Sequence, residues 1–321
     1  MKISEHTTDI LIVGAGLSGL AAASELKKQG RDVLVIDKGR GVGGRLANRR
    51  IGKATFDHGA QFMTVRNSRF AELIKQWVSA GVAEEWYCGS VDGHSRWRGK
   101  PAMTGIAKQL ADGLNLLLGK RIASLRQDEN EPRWIAELED GECITANAVL
   151  MTPPVPQTLT ILDEGGVELA ADIRAYLETI QYERCFAVMA VLDGPSRVPS
   201  PGNFSPEEGP VAWIADNQMK GVSELPAVTI HARADFSMDN WERDRQEVAR
   251  ELIEAAGPWL GSSVIEFQVH GWRYSKPLRV ENERCYTVSK SPALVLAGDA
   301  FGGQRVEGAV LSGWAAADVL K

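Results

Sequence analysis

The feature that most constrains this chain is Gly14-x-Gly16-x-x-Gly19, set between an apolar run, Asp9-Ile-Leu-Ile-Val13, and a helical pattern ending near Gln29-Gly30. A second apolar run, Asp32-Val-Leu-Val-Ile-Asp37, follows at once. Strand, glycine turn, helix and strand make a βαβ unit, and the hexapeptide in that setting is a phosphate-binding fingerprint. Gly14 permits the tight turn, Gly16 lets the backbone approach a diphosphate, and Gly19 lets helix and strand pack closely. Leu17, Ser18 and Gly19 then lie at a helix N-terminus, where unpaired N–H groups and about half a positive charge face the phosphate oxygens. Asp37, about 20 residues on at the end of the second strand, can accept from ribose hydroxyls, with Lys38 beside it.

This unit does not by itself separate a nicotinamide from a flavin dinucleotide. Two further elements bear on the choice. Gly41-x-Gly43-Gly44-Arg45 follows the acidic strand directly and offers more backbone N–H groups, with Arg45 able to neutralise a phosphate. Near the far end, Ala293-Leu-Val-Leu-Ala297 reads as a buried strand, followed by Gly298-Asp299 and by Arg305-Val-Glu-Gly-Ala309. Asp299 can bind a ribityl hydroxyl. The start of the last helix, at Val306 and Glu307, can face the pyrimidine edge of a flavin and stabilise the anionic reduced ring.

The order of these elements resembles the flavin-containing amine oxidase superfamily. Within it, four segments resemble the renalases, the bacterial ones above all: Phe56-Asp-His-Gly-Ala-Gln-Phe62, Arg96-Trp-Arg-Gly-Lys-Pro-Ala-Met103, Trp272-Arg-Tyr-Ser-Lys-Pro277 and Arg305-Val-Glu-Gly-Ala-Val-Leu-Ser-Gly313. The resemblance implies non-covalent FAD, with Ala60 and Gln61 beside the flavin ring. It also implies an oxidase that takes hydride from 2-dihydro forms of NAD(P), releases NAD(P)+ and passes electrons to oxygen as hydrogen peroxide. Such a substrate is already a hydride donor, so the absence of a Ser-His-Asp set is consistent with the chemistry. The chain departs from some relatives at Gly298-Asp-Ala-Phe301, where Ala300 stands in place of an aromatic residue.

The expected fold is α/β: a Rossmann-like FAD-binding domain with a second α+β substrate domain built on a mixed sheet. The expected division gives residues 1–66, 99–155 and 285–321 to the FAD-binding domain. Residues 67–98 and 156–284 go to the substrate domain. The pocket candidates are Gln61, Trp213, His270 and Tyr274, with Asn217, His231, Trp272 and Arg273 nearby in sequence. Arg49, Arg50 and Arg66 could contact a substrate phosphate, although solvated arginines are commoner. Two other enzymatic readings stand beside the leading one. One is an oxidase of a small amine or polyamine, and the other a desaturase or dehydrogenase serving a carrier. A non-catalytic flavoprotein is a fourth.

Composition narrows the partners. The chain has 321 residues and a net charge of −6, and no long basic tract invites nucleic acid. Cys88, Cys143, Cys185 and Cys285 are far apart, with no metal spacing, which suits reduced thiols in a cytoplasmic protein. The apolar stretch Ile10 to Ala23 reads as strand, turn and helix, not a signal-peptide core, since Lys2 is its only nearby cation and Glu5 and Asp9 precede it. The expected partners are a small dinucleotide substrate and oxygen, with no membrane and no metal. Oligomeric state is left open.

Overall fold

The computed structural model describes residues 5–89 and 93–321; Lys2, with the rest of residues 1–4, and residues 90–92 of the expected substrate domain lie outside them. The chain forms two compact units. One comprises residues 1–44, 107–181 and 277–321, the other 45–106 and 182–276.

The first unit is built on parallel strands. Glu5–Val13 lies between Cys143–Met151 and Val33–Asp37; Asn115–Leu118 and Ala293–Leu296 extend the sheet on either side, all in parallel. Tyr286–Lys290 adds an antiparallel edge, and the hairpin Ile122–Gln127 and Trp134–Leu138 pairs antiparallel onto Cys143–Met151. The apolar runs explain the topology: Ile10, Leu11 and Ile12 are wholly buried, as strands covered on both faces must be. Val13, Ile36 and Met151 come into register at the carboxyl ends, the edge where open α/β sheets bind ligands. Helices Leu17–Lys28 and Val306–Val319 pack together so closely that a Cβ on Gly313 would overlap the Ser18 carbonyl oxygen.

The second unit holds a five-stranded sheet in the order Asn203–Phe204, Val211–Asp216, Ala227–Ala232, Tyr182–Leu192, Val264–Pro277. The first three pairings are antiparallel. One face packs on helix Arg245–Leu260 through Phe186, Val188, Trp241, Val248 and Leu252. The other takes the hairpin Asn48–Ile51 and Ala54–Asp57, whose Ile51 and Phe56 cluster with Met189, Val191 and Ala227. This packing puts residues 45–66 with the second sheet, although the glycine loop that precedes them is continuous with the phosphate fingerprint. Residues 99–106 also pack with the second unit, and 156–181 and 277–284 with the first.

Helix Arg245–Leu260 runs through Gly257-Pro258 and ends at Gly261, whose φ of 71° lies in the left-handed region. Trp241 precedes it, between Ala234–Asp239 and the Asp244 cap. Among the described residues, no helix is long and apolar enough to cross a membrane, and no group of three or more metal-binding side chains occurs.

Candidate active site

In the first unit the glycine fingerprint forms a cradle. Gly14 has φ of 106°, and a Cβ there would collide with the Thr152 hydroxyl. Gly19 is equally obligatory, because its Cβ would overlap the Gly14 carbonyl oxygen. Gly16 differs. Its backbone is extended, at φ −75° and ψ 175°, and a methyl placed on it would have no atom within 4 Å. That open space faces the start of helix Leu17–Lys28, which has no side-chain cap. Ser18 Oγ is buried there without a hydrogen-bond partner. The second glycine loop folds back onto the first: Gly43 N–H donates to the Ala15 carbonyl at 2.8 Å, and Gly16 bridges Gly43.

Asp37 closes the rim. Its two carboxylate oxygens each accept a backbone N–H at 2.6 Å, one from Ala15 and one from Gly39. Each oxygen keeps a second lone pair, so the bonds orient the carboxylate without exhausting it. Lys38 Nζ reaches Gln157 Oε1 at 3.4 Å. At the other end of the chain, Asp299 opens the short helix Asp299–Gly302, and Val306 and Glu307 form the buried first turn of Val306–Val319. The N-cap of that helix, Arg305, also makes no side-chain capping bond.

In the second unit the segment Asp57–Gln61 is held from every side. Lys220 Nζ bonds Asp57 Oδ2 at 2.8 Å, with both side chains completely buried. Asp57 Oδ1 accepts the Met103 N–H at 3.0 Å, and Asp57 N–H donates to Asn217 Oδ1. Gln61 Nε2 donates to the carbonyls of Asp57 and Gly59, while its Oε1 accepts from Lys220. Lys220 arrives here because Asp216 Oδ1 accepts from Gln218 and Met219 N–H, folding a tight turn.

The next residue, His58, begins an aromatic strip. Its ring stacks on Trp272 at 5.2 Å between centroids and meets His270 edge-on, also at 5.2 Å. His270 and Trp272 are 4.2 Å apart. The His58 carbonyl accepts both Trp272 Nε1–H at 2.9 Å and His231 Nε2 at 3.1 Å, so His231 carries its proton on Nε2. His58 Nδ1 is buried without a bonded partner. A second set lies close in sequence: Phe62 packs 5.7 Å from Trp213, with the Arg96 guanidinium 5.3 Å over the Phe62 ring. Trp213 Nε1–H is buried and lacks an acceptor.

The flavin containing amine oxidoreductase model matches residues 86–321, and an NAD(P)-binding Rossmann-like model matches residues 12–77. The chain belongs to the flavin containing amine oxidoreductase family. It is 46% identical over 57 residues to AofH of Mycobacterium tuberculosis, a protein named among the flavin-containing monoamine oxidases; that match spans 18% of this chain and only 13% of the relative. The fold matches cyclohexylamine oxidase from Brevibacterium oxydans with a TM-score of 0.74 at 14% identity, over 98% of each chain. It also matches putrescine oxidase bound to putrescine, with a TM-score of 0.66 at 15% identity, over 98% of this chain and 99% of the other.

The cofactor of a chain in this family is FAD, and the first unit's residues fit it. The uncapped helix, the orphaned Ser18 hydroxyl and the open space at Gly16 would hold its diphosphate, and Asp37 would accept from its ribose. When bound, FAD supplies a hydride acceptor. Arg45, Ala60 and Gln61 pack in the second unit. There Ala60 N–H donates to the Arg45 carbonyl, and Arg45 Nη1 donates to the Ser275 carbonyl at 3.1 Å.

The structure treats the four pocket candidates differently. His270 joins the aromatic strip. Trp213 offers a free donor. Tyr274 lies two residues beyond Trp272 on the same strand, with its ring edge-on to Tyr182 at 5.5 Å. Gln61 has both ends of its amide engaged internally, so in this unit it acts as a brace for the segment. Asn217 is likewise consumed, by Asp57, Ala227 and Thr229. Sequence reasoning missed His58 and Phe62, although both lie inside a segment quoted for its resemblance. It also missed Lys220, for which the sequence carried no signal.

The imidazoles are kept neutral. Burial is the main cause in each case, pulling His58 down to about 3 and His231 and His270 to about 4; the charge of His270 adds to this at His58, and that of Arg49 at His270. The unfolded chain takes up these protons near 6.5, before the folded one does. The stability held by these groups is therefore complete above pH 6.5 and is lost as pH falls toward their folded values. Urea midpoints are expected to fall between pH 6.5 and 4, and less steeply in His270→Phe. An identical pH slope in that variant would remove His270 from the account.

Proposed function

We propose that the protein is an FAD-dependent oxidase of isomeric dihydronicotinamide dinucleotides. In this reading the donor carbon of a 2-dihydro-NAD(P) gives up its hydrogen and two electrons as hydride, leaving NAD(P)+. Oxygen takes the two electrons with two protons and becomes hydrogen peroxide.

The observation that carries the reading is the charge of the aromatic strip. The carboxylate bonded into it, Asp57, is already neutralised by Lys220. The histidines are neutral; the Arg49 guanidinium bears on His58 and His270, that of Arg245 on His270, and that of Arg96 lies over Phe62. Such a surface suits a flat, electron-rich ring on an anionic carrier and opposes a cationic amine. His58 and Trp272 offer stacking area for the ring. Trp213 Nε1–H is a donor suited to a carboxamide oxygen, since a buried indole N–H gains most from finding an acceptor. No side chain here needs to act as a nucleophile, so the work of these residues is to hold and orient the donor.

Anaerobic mixing tests it. The bound flavin is expected to bleach rapidly with 2-dihydro-NAD or 2-dihydro-NADP, and far more slowly with ordinary NAD(P)H or with amines. Bleaching by a primary amine or polyamine, with none by the 2-dihydro isomers, would move the protein to the amine oxidases. No bleaching by any donor would leave a carrier-linked or non-catalytic flavoprotein.

A further inference from the structure

Val264–Pro277 is the terminal strand of its sheet, so its two faces meet at an open edge. On one face Gln268, His270 and Trp272 alternate outward, and Arg49 Nη1 donates to Gln268 Oε1 at 3.4 Å. The opposite face carries Arg273. There the guanidinium carbons of Arg184, Arg245 and Arg273 lie 4.9, 5.8 and 5.7 Å from the centre of the Trp241 ring. Gly271 lies on the same face as Arg273. It has no side chain, and a Cβ there would stand 2.9 Å from Trp241 and 3.4 Å from the Arg245 guanidinium. Arg245 thus lies against the terminal strand at Gly271, and its charge, like that of Arg49, reaches His270.

The arrangement is unbalanced. Among the described residues, no carboxylate lies within 4 Å of Arg49, Arg245 or Arg273. Glu242 pairs with Arg184 at 3.9 Å and is itself highly exposed. Asp244, adjacent to Arg245 in sequence, is turned away to cap its own helix through Gln246 and Glu247 N–H. Stacking on Trp241 offsets part of the mutual repulsion of the cations. It does not supply the forked acceptor that a guanidinium matches best, a carboxylate or phosphate.

We propose that Arg49, Arg245 and Arg273 form a phosphate-recognition site, straddling the strand edge at Gly271, that takes the diphosphate of a dinucleotide substrate. This rests on the dihydronicotinamide reading for the substrate's identity. The ring lies on His58, His270 and Trp272, and the diphosphate turns over the edge between Arg49 and Arg245. Arg49 was a phosphate candidate from sequence; Arg245 was not, because nothing in the sequence places a helix start beside Gly271.

The test uses the FAD-loaded protein, the variants Arg49→Gln, Arg245→Gln and their double, and Arg250→Gln as a control of equal charge on the same helix. Binding of ADP-ribose, which has the diphosphate without the nicotinamide, is measured by calorimetry. Each single variant is expected to weaken it about tenfold and the double about a hundredfold, the scale of a hydrogen bond to a charged group. The concentration of 2-dihydro-NAD needed for half-maximal flavin reduction should rise in parallel, with the limiting rate unchanged. The phosphate-free 2-dihydronicotinamide riboside should not respond. Wild-type protein that binds no ADP-ribose overturns the site. So do equal losses on riboside and dinucleotide, or an Arg250→Gln effect matching the double variant. If wild-type flavin is reduced by no dihydronicotinamide, the reaction is wrong, and the ADP-ribose measurement still decides the site.

Discussion

Lys220→Met is expected to lower the unfolding free energy by about 3–5 kcal/mol, the cost of breaking a buried ion pair by removing one partner. Lys220 and Asp57 are wholly buried and 2.8 Å apart. Burial pushes the lysine pKa down, and the Asp57 carboxylate pushes it back up. Without the ammonium, Asp57 Oδ2 loses the partner that compensates its desolvation, and Gln61 Oε1 loses its donor. The double variant Lys220→Met/Asp57→Asn should recover most of the loss. Asparagine still offers Oδ1 to the Met103 N–H, and a neutral replacement of a buried pair is often no less stable than the pair. Denaturant unfolding of the four proteins makes a double-mutant cycle. A single variant within about 1 kcal/mol of wild type, or a double variant worse than either single, would contradict the pairing.

This pair also shows where sequence reading stopped. The phosphate cradle was legible because its physics is local: a glycine whose φ only glycine adopts readily, a helix start and an acidic strand end all fall within 30 residues. The edges of the parallel strands were legible for the same reason, as continuous apolar runs. The aromatic strip is assembled from residues 58, 231, 270 and 272, and contacts of that span leave no pattern in the chain. Lys220 sits in Asp216–Val222, a polar turn that reads as surface. The Asp216 side-chain bonds, with Lys220 N–H donating to the Asp216 carbonyl, tighten the turn that carries the lysine inward. Gln61 was found by its position after Gly59-Ala60. Its bracing bonds to Asp57, Gly59 and Lys220 were not legible, because an amide's partners cannot be read from its neighbours in sequence. Helix Arg245–Leu260 runs through Pro258 because its buried stripe, Val248, Leu252, Ala256 and Leu260, continues past the proline.

The glycines of the fingerprint separate folding from cofactor binding, and Gly16→Val is expected to divide the two cleanly. At φ −75° and ψ 175° the backbone there is open to any residue, and the added Cβ has no atom within 4 Å. The FAD-free variant should therefore unfold within about 1 kcal/mol of wild type, since glycine's extra freedom in the unfolded chain is also removed. The same space is where a diphosphate must approach the helix N–H groups. FAD affinity should fall at least about a hundredfold, equivalent to about 2.8 kcal/mol. Gly19→Ala is the contrasting case: its methyl overlaps the Gly14 carbonyl oxygen, so it should disturb the fold with or without FAD. Fluorescence titration of FAD against each variant, beside unfolding of the FAD-free forms, reads both quantities. If Gly16→Val binds FAD as tightly as wild type, the diphosphate does not lie against this turn. The orphaned Ser18 hydroxyl would then need another partner.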